Sequence, residues 1–64
     1  MDNLKLLLKL REQQITQLKL ANLTGIANST ISEIIRGRRK PTEEQKNLIA
    51  DYLKVSVKSI FPDN

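Results

Sequence analysis

Between Gln17 and Gly37 the chain has to reverse direction within a few residues, and that requirement limits what it can fold into. The stretch reads Gln17-Leu18-Lys19-Leu20-Ala21-Asn22-Leu23-Thr24-Gly25-Ile26-Ala27-Asn28-Ser29-Thr30-Ile31-Ser32-Glu33-Ile34-Ile35-Arg36-Gly37, two short helical patterns that meet at Gly25. Helices crossing steeply over a tight turn need a small side chain where their backbones approach, and Ala21, four residues before Gly25, supplies it. The turn itself needs a residue that accepts positive φ, which glycine does without steric cost. Beyond it, Ile31, Ile34 and Ile35 fall at i, i+3 and i+4, the spacing of a helix's buried stripe. Asn28, Ser29, Ser32, Glu33 and Arg36 are left on the opposite face.

This is the sequence form of a helix-turn-helix. The second helix of that motif usually lies in the major groove of DNA and reads base edges. A plain helical hairpin would also place Ala and Gly at its crossing, so charge has to separate the two readings. The net charge is +4. Residues 1–16 carry Lys5, Lys9 and Arg11 against Asp2 and Glu12. Residues 17–40 carry Lys19, Arg36, Arg38, Arg39 and Lys40 against Glu33 alone. Residues 41–64 are slightly acidic, with Lys46, Lys54 and Lys58 against Glu43, Glu44, Asp51 and Asp63. The excess sits at the end of the second motif helix and just beyond it, where phosphate neutralisation requires positive charge.

Composition excludes much else. With no cysteine there is no disulfide framework, thiol chemistry or zinc finger. With no histidine the commonest general base and metal ligand is missing. Two glycines cannot build a phosphate-binding loop, and Glu43 and Glu44, adjacent on one helix, do not face each other as an acid/base pair. We therefore expect neither catalysis nor any cofactor or metal. The longest leucine run, Leu6-Leu7-Leu8, falls far short of the roughly 20 apolar residues that cross a bilayer. Lys9, Arg11 and Glu12 break any likeness of the N-terminus to a signal peptide, so the segment reads as an amphipathic helix. The absence of cysteine suits a reducing cytoplasm.

Sixty-four residues make one small domain, 1–64, and the patterns predict an all-α, compact five-helix fold. The first helix is expected over 3–13, capped by Asp2 or Asn3. Its leucines form two stripes, Leu6-Leu7-Leu10 and Leu4-Leu7-Leu8, more than one buried face needs. Thr16 is placed to cap a second helix from Gln17 to Leu23 or Thr24, with Leu20 and Leu23 pointing inward. The third helix covers 28–36; Ala27 offers no capping oxygen, and Asn28 is the substitute. Gly37 then closes it. Pro41 keeps Arg38 to Lys40 in a loop, and Thr42 with Gln45 forms a capping box for a fourth helix. Leu48, Ile49, Tyr52 and Leu53 give that helix its apolar face. Ser56 is expected to cap a short helix over 57–61, stopped by Pro62, with Val55, Ile60 and Phe61 closing the core.

The order of elements, together with Ile15-Thr16-Gln17, Leu20-Ala21, Gly25-Ile26, Ser29-Thr30-Ile31-Ser32, Ile34, Gly37-Arg38-Arg39-Lys40-Pro41-Thr42, Val55-Ser56 and Ile60-Phe61, resembles the Cro/C1-type helix-turn-helix domain of phage lambda repressor-like proteins and related bacterial regulators. The resemblance runs from about Leu6 to Phe61. It implies that Gln17, opening the second helix, holds a backbone phosphate. It also implies that Asn28 and Ser29 meet base edges, that Ser32 or Glu33 reaches another base one turn on, and that Arg36, Arg38, Arg39 and Lys40 hold phosphates. The chain departs from the family pattern in four places. Thr24 replaces an apolar residue, Ala27 replaces a Ser or Thr cap, and Lys54 replaces a frequent glycine. Leu10 and Ile35 stand where many members bury an arginine–glutamate pair. An apolar contact is expected in its stead.

Taken by their chemistry, Asn28 suits a bidentate pair with adenine or a simple helix cap, and Ser29 suits a base, a phosphate or solvent. Glu33 suits acceptance from a cytosine amino group, repulsion of phosphate, or an ion pair with Arg36 or Lys19. The expected function is a sequence-specific DNA-binding transcriptional regulator of phage or bacterial type. Its partner is a double-stranded operator, and any homodimer is weak or formed on DNA through the first helix or the last two. An alternative reading makes the chain the N-terminal piece of a longer repressor. The rival reading is a protein-interaction module, such as an antitoxin-like partner, binding through the first helix or the C-terminal helices. A polar third-helix face flanked by cations favours DNA, because protein-binding surfaces concentrate apolar anchors.

Overall fold

The computed structural model describes residues 3–62. Among these the chain forms five helices and no strand: α1 (Leu4–Glu12), α2 (Gln17–Thr24), α3 (Asn28–Ile35), α4 (Glu43–Leu53) and α5 (Val57–Ile60). No helix is long and apolar enough to cross a membrane among the described residues. α2 packs on α3 and α4, while α1 packs on α5 and α3. Each helix commits at least one fully buried side chain to a shared core: Leu6, Leu20, Ile31, Ile49 with Leu53, and Ile60. Burying such a side chain stabilises by about 1.5–3 kcal/mol, so no helix here stands without its neighbours.

Side-chain caps start the helices where the sequence places them. Asn3, Thr16 and Thr42 each accept the backbone N–H three residues on, at Leu6, Lys19 and Gln45. The Gln45 side chain returns the bond to the Thr42 N–H at 3.0 Å, completing the capping box. Asp2, the other candidate cap for α1, lies outside the described residues. Ser56 does stand before α5, but its hydroxyl makes no capping bond. Nor does Asn28 replace the missing cap of α3, which begins after Ala27 with none.

The helix ends share one device. Gly25, at φ 76, sends its N–H to Ala21 O at 2.9 Å. With nothing within 4 Å of a Cβ built there, backbone conformation alone calls for glycine. After α3, Gly37 at φ 74 bonds to Ile34 O while Arg38 N–H reaches back to Glu33 O, the paired bonds of a Schellman turn. The same pair closes α1, from Gln14 to Arg11 and Ile15 to Leu10, and α4, from Lys54 to Asp51 and Val55 to Ala50. There the left-handed residue is Gln14 (φ 58) or Lys54 (φ 59) rather than glycine.

One expected face changes, the leucine surplus of α1 stays outside, and one helix end shortens by a residue. On α4 the buried stripe is Lys46, Ile49, Ala50 and Leu53, while Tyr52 is 45% exposed. Ala50 is small enough to let the helix approach its neighbours, which turns Tyr52 outward. Lys46 lays its alkyl stem against the core and brings Nζ within 3.5 Å of Glu43 Oε1. On α1, Leu6 and Leu10 are buried and Leu7 is half-buried, leaving Leu4 and Leu8 each 60% exposed. Finally, α3 ends at Ile35, with Arg36 still right-handed as its C-cap. Leu10 and Ile35 are both buried in the one apolar core.

Candidate nucleic-acid interface

Burial of Ile31, Ile34 and Ile35 fixes how α3 is rolled. Asn28 and Ser29 are exposed at its start, Ser32 and Glu33 are half-buried one turn on, and Arg36 is exposed at its end. The Schellman turn at Gly37 then leads into the exposed Arg38, Arg39 and Lys40. A second support comes from α1. The Asn3 N–H donates to Ile35 O at 2.6 Å, and Asn3 Nδ2 donates to Ile60 O at 2.9 Å. One residue thus caps α1 and satisfies free carbonyls at the ends of α3 and α5.

Two side-chain bonds organise the outer face. The first joins the two motif helices at their starts: Gln17 Nε2 donates to Asn28 Oδ1 at 3.0 Å and to Asn28 O at 3.4 Å. Asn28 Oδ1 is engaged across the turn rather than within its own helix, so the simple-cap reading of Asn28 does not hold. Its amide keeps two N–H donors for an outside acceptor, and Gln17 keeps its carbonyl oxygen. The second bond joins Glu33 Oε1 to Arg39 Nε at 2.9 Å. The partner is neither Arg36 nor Lys19. Six residues separate the pair, and the left-handed turn at Gly37 lies between them.

The nine residues singled out in the sequence, Gln17, Asn28, Ser29, Ser32, Glu33, Arg36, Arg38, Arg39 and Lys40, therefore lie on the start of α2, the outer face of α3 and the adjoining loop. Sequence reasoning missed the Glu33–Arg39 pair and the role of Asn3 beyond its cap. The spacing of Asn3 to its partners, 32 and 57 residues away, carries no local signal. Thr24, where an apolar residue is usual, turns its hydroxyl to the turn: Oγ1 donates to Leu20 O at 2.9 Å and accepts from the Ile26 N–H at 3.2 Å. Among the described residues no group of His, Cys, Asp or Glu is arranged to hold a metal ion.

A family model described as helix-turn-helix matches residues 4–60. Neither the curated proteins nor the solved structures compared with the chain give a match. The family match takes in all five helices, from the first residue of α1 to the last of α5, and on that span the chain belongs to the Cro/C1-type helix-turn-helix family.

Proposed function

We propose that the chain is a sequence-specific DNA-binding transcriptional regulator of phage or bacterial type, acting in the cytoplasm. In this reading α3 enters the major groove, α2 braces across the backbone, and Arg36, Arg38 and Lys40 neutralise phosphates. The observation that carries it is the Gln17–Asn28 bond at the start of α3, the helix whose other end leads into that cationic loop. It holds the side chain best suited to read adenine against the residue best placed to meet a phosphate, so backbone contact and base contact fix each other's position. The described residues span 24 × 21 × 20 Å. Copies on half-sites one helical turn apart are centred about 34–36 Å from each other, so a symmetric pair meets only at its edges. That agrees with a weak homodimer, or one formed on DNA. The large exposed apolar side chains, Leu4, Leu8, Leu18 and Tyr52, lie on α1, α2 and α4 and not on α3.

Fluorescence anisotropy with a selected duplex and a scrambled one, over a salt series, tests this reading. Preference for the selected site, relaxed by Asn28→Ala at constant salt slope, is the expected result. Arg38→Ala should instead weaken both duplexes alike and lower the slope by about 0.9. Equal binding of both duplexes by the wild type would refute sequence-specific function.

A further inference from the structure

A carboxylate is out of place on a surface that meets DNA, where phosphates carry one negative charge per about 1.7 Å of duplex axis. Glu33 is nevertheless the only acidic residue between Gln13 and Thr42, and it lies one turn beyond Ser29 on the outer face of α3. Its side chain stays 44% exposed. Oε1 accepts from Arg39 Nε at 2.9 Å, and Oε2 accepts no bond from the described residues. Arg39 uses only Nε in this contact, so its two terminal NH2 groups remain available to other acceptors. The Gly37 turn, with Arg38 N–H bonded to Glu33 O, brings the chain back beside Glu33 one residue before Arg39.

We propose that Glu33 and Arg39 act as one specificity-determining unit that selects cytosine in the major groove. Glu33 accepts a hydrogen bond from the cytosine N4 amino group, while Arg39 neutralises the carboxylate and bridges it to a backbone phosphate. The choice of base follows from groove chemistry. Guanine presents only acceptors there, and thymine an acceptor and a methyl group, so a carboxylate is repelled or unpaired at both. Adenine sets its amino donor beside the N7 acceptor, which faces the second carboxylate oxygen with no proton between them. Cytosine offers the donor alone. Without Arg39 the same carboxylate would enter the groove unscreened.

The inference rests on α3 being the helix that enters the groove, and the test separates the two. Sites are selected from a random double-stranded library with wild type, Glu33→Gln, Arg39→Met and the double variant, and affinities are measured by anisotropy. The expected wild-type site contains a cytosine whose preference falls by on the order of 10- to 100-fold in Glu33→Gln, the rest of the site being kept. Arg39→Met should weaken binding about 10-fold more in the wild-type background than in the Glu33→Gln background, where no bare carboxylate remains. If the wild type prefers a site but Glu33→Gln selects the same sequence, or Arg39→Met costs the same in both backgrounds, the unit is refuted and the groove reading stands. If the wild type shows no site preference, both fall.

Discussion

Lys54 holds its backbone at φ 59 and ψ 43, a conformation glycine adopts freely and an L side chain only at a cost of roughly 1–2 kcal/mol. The strain is tolerated because the turn gives two bonds in return, from Lys54 N–H to Asp51 O and from Val55 N–H to Ala50 O. The Lys54 side chain is exposed and forms no ion pair among the described residues, so little is lost with it. Lys54→Gly should therefore raise stability by about 0.5–1 kcal/mol, the relief of strain exceeding the added entropy of the unfolded chain. Lys54→Ala, which keeps the strain, should not. Thermal melts followed by circular dichroism would register the glycine variant as a rise of several degrees in a domain this small. Equal Tm values for the two variants would show that the left-handed residue is not under strain. Asn3 makes the opposite case, a residue whose every polar group is used: Oδ1 at Leu6 N–H, Nδ2 at Ile60 O and its own N–H at Ile35 O.

Helix starts differ in what their caps contribute, and that difference is measurable. Thr42→Ala removes the side-chain half of a formed capping box, the bond from the Gln45 N–H to Thr42 Oγ1, leaves the Thr42 N–H bond to Gln45 Oε1 in place, and should cost about 1 kcal/mol. Ser56→Ala, at a position whose hydroxyl makes no capping bond, should cost less than about 0.5 kcal/mol. Urea titration of the two variants compares them directly, and comparable losses would contradict the cap geometry. These elements were legible in the sequence because their signals are local. The Thr42–Gln45 box, Gly25 and Gly37 each act within a few residues, and the Ile31-Ile34-Ile35 stripe fixes a face within one helix. What was not legible depends on how helices lie against one another. The stripe of α4 shifts to Lys46 and Ala50 because the small alanine, not the large tyrosine, suits its close packing. The left-handed Gln14 escapes notice because its residue type does not announce the conformation, and Lys54 is marked only by standing where the resemblance puts a frequent glycine. In the candidate interface the outward face of α3 was readable from periodicity. The Gln17–Asn28 and Glu33–Arg39 bonds were not, since both need a turn to bring side chains together.

At the scale of the whole molecule, a core of 13 buried apolar residues among the described ones has little stability to spare. Single cores of this size rarely supply more than about 3–5 kcal/mol. Leu10 on α1 and Ile35 at the end of α3 are 3% and 9% exposed within that core, the two positions where the sequence puts apolar residues in place of a possible buried arginine–glutamate pair. Packed apolar groups in place of a buried ion pair are often neutral or stabilising, whereas one buried charge without its partner costs about 3–5 kcal/mol. Leu10→Arg alone should thus remove most of the folding free energy and leave the chain largely unfolded at room temperature. Ile35→Glu alone should do nearly the same. If the two positions are geometrically coupled through the packing of α1 on α3, the double variant Leu10→Arg/Ile35→Glu should recover a cooperative transition, because each charge then meets its partner in the desolvated site. Urea unfolding of the wild type and the three variants gives the coupling energy directly. A wild-type-like midpoint for Leu10→Arg would mean that position 10 opens to solvent. A double variant no better folded than the worse single one would mean that Leu10 and Ile35 fill the same core without facing each other.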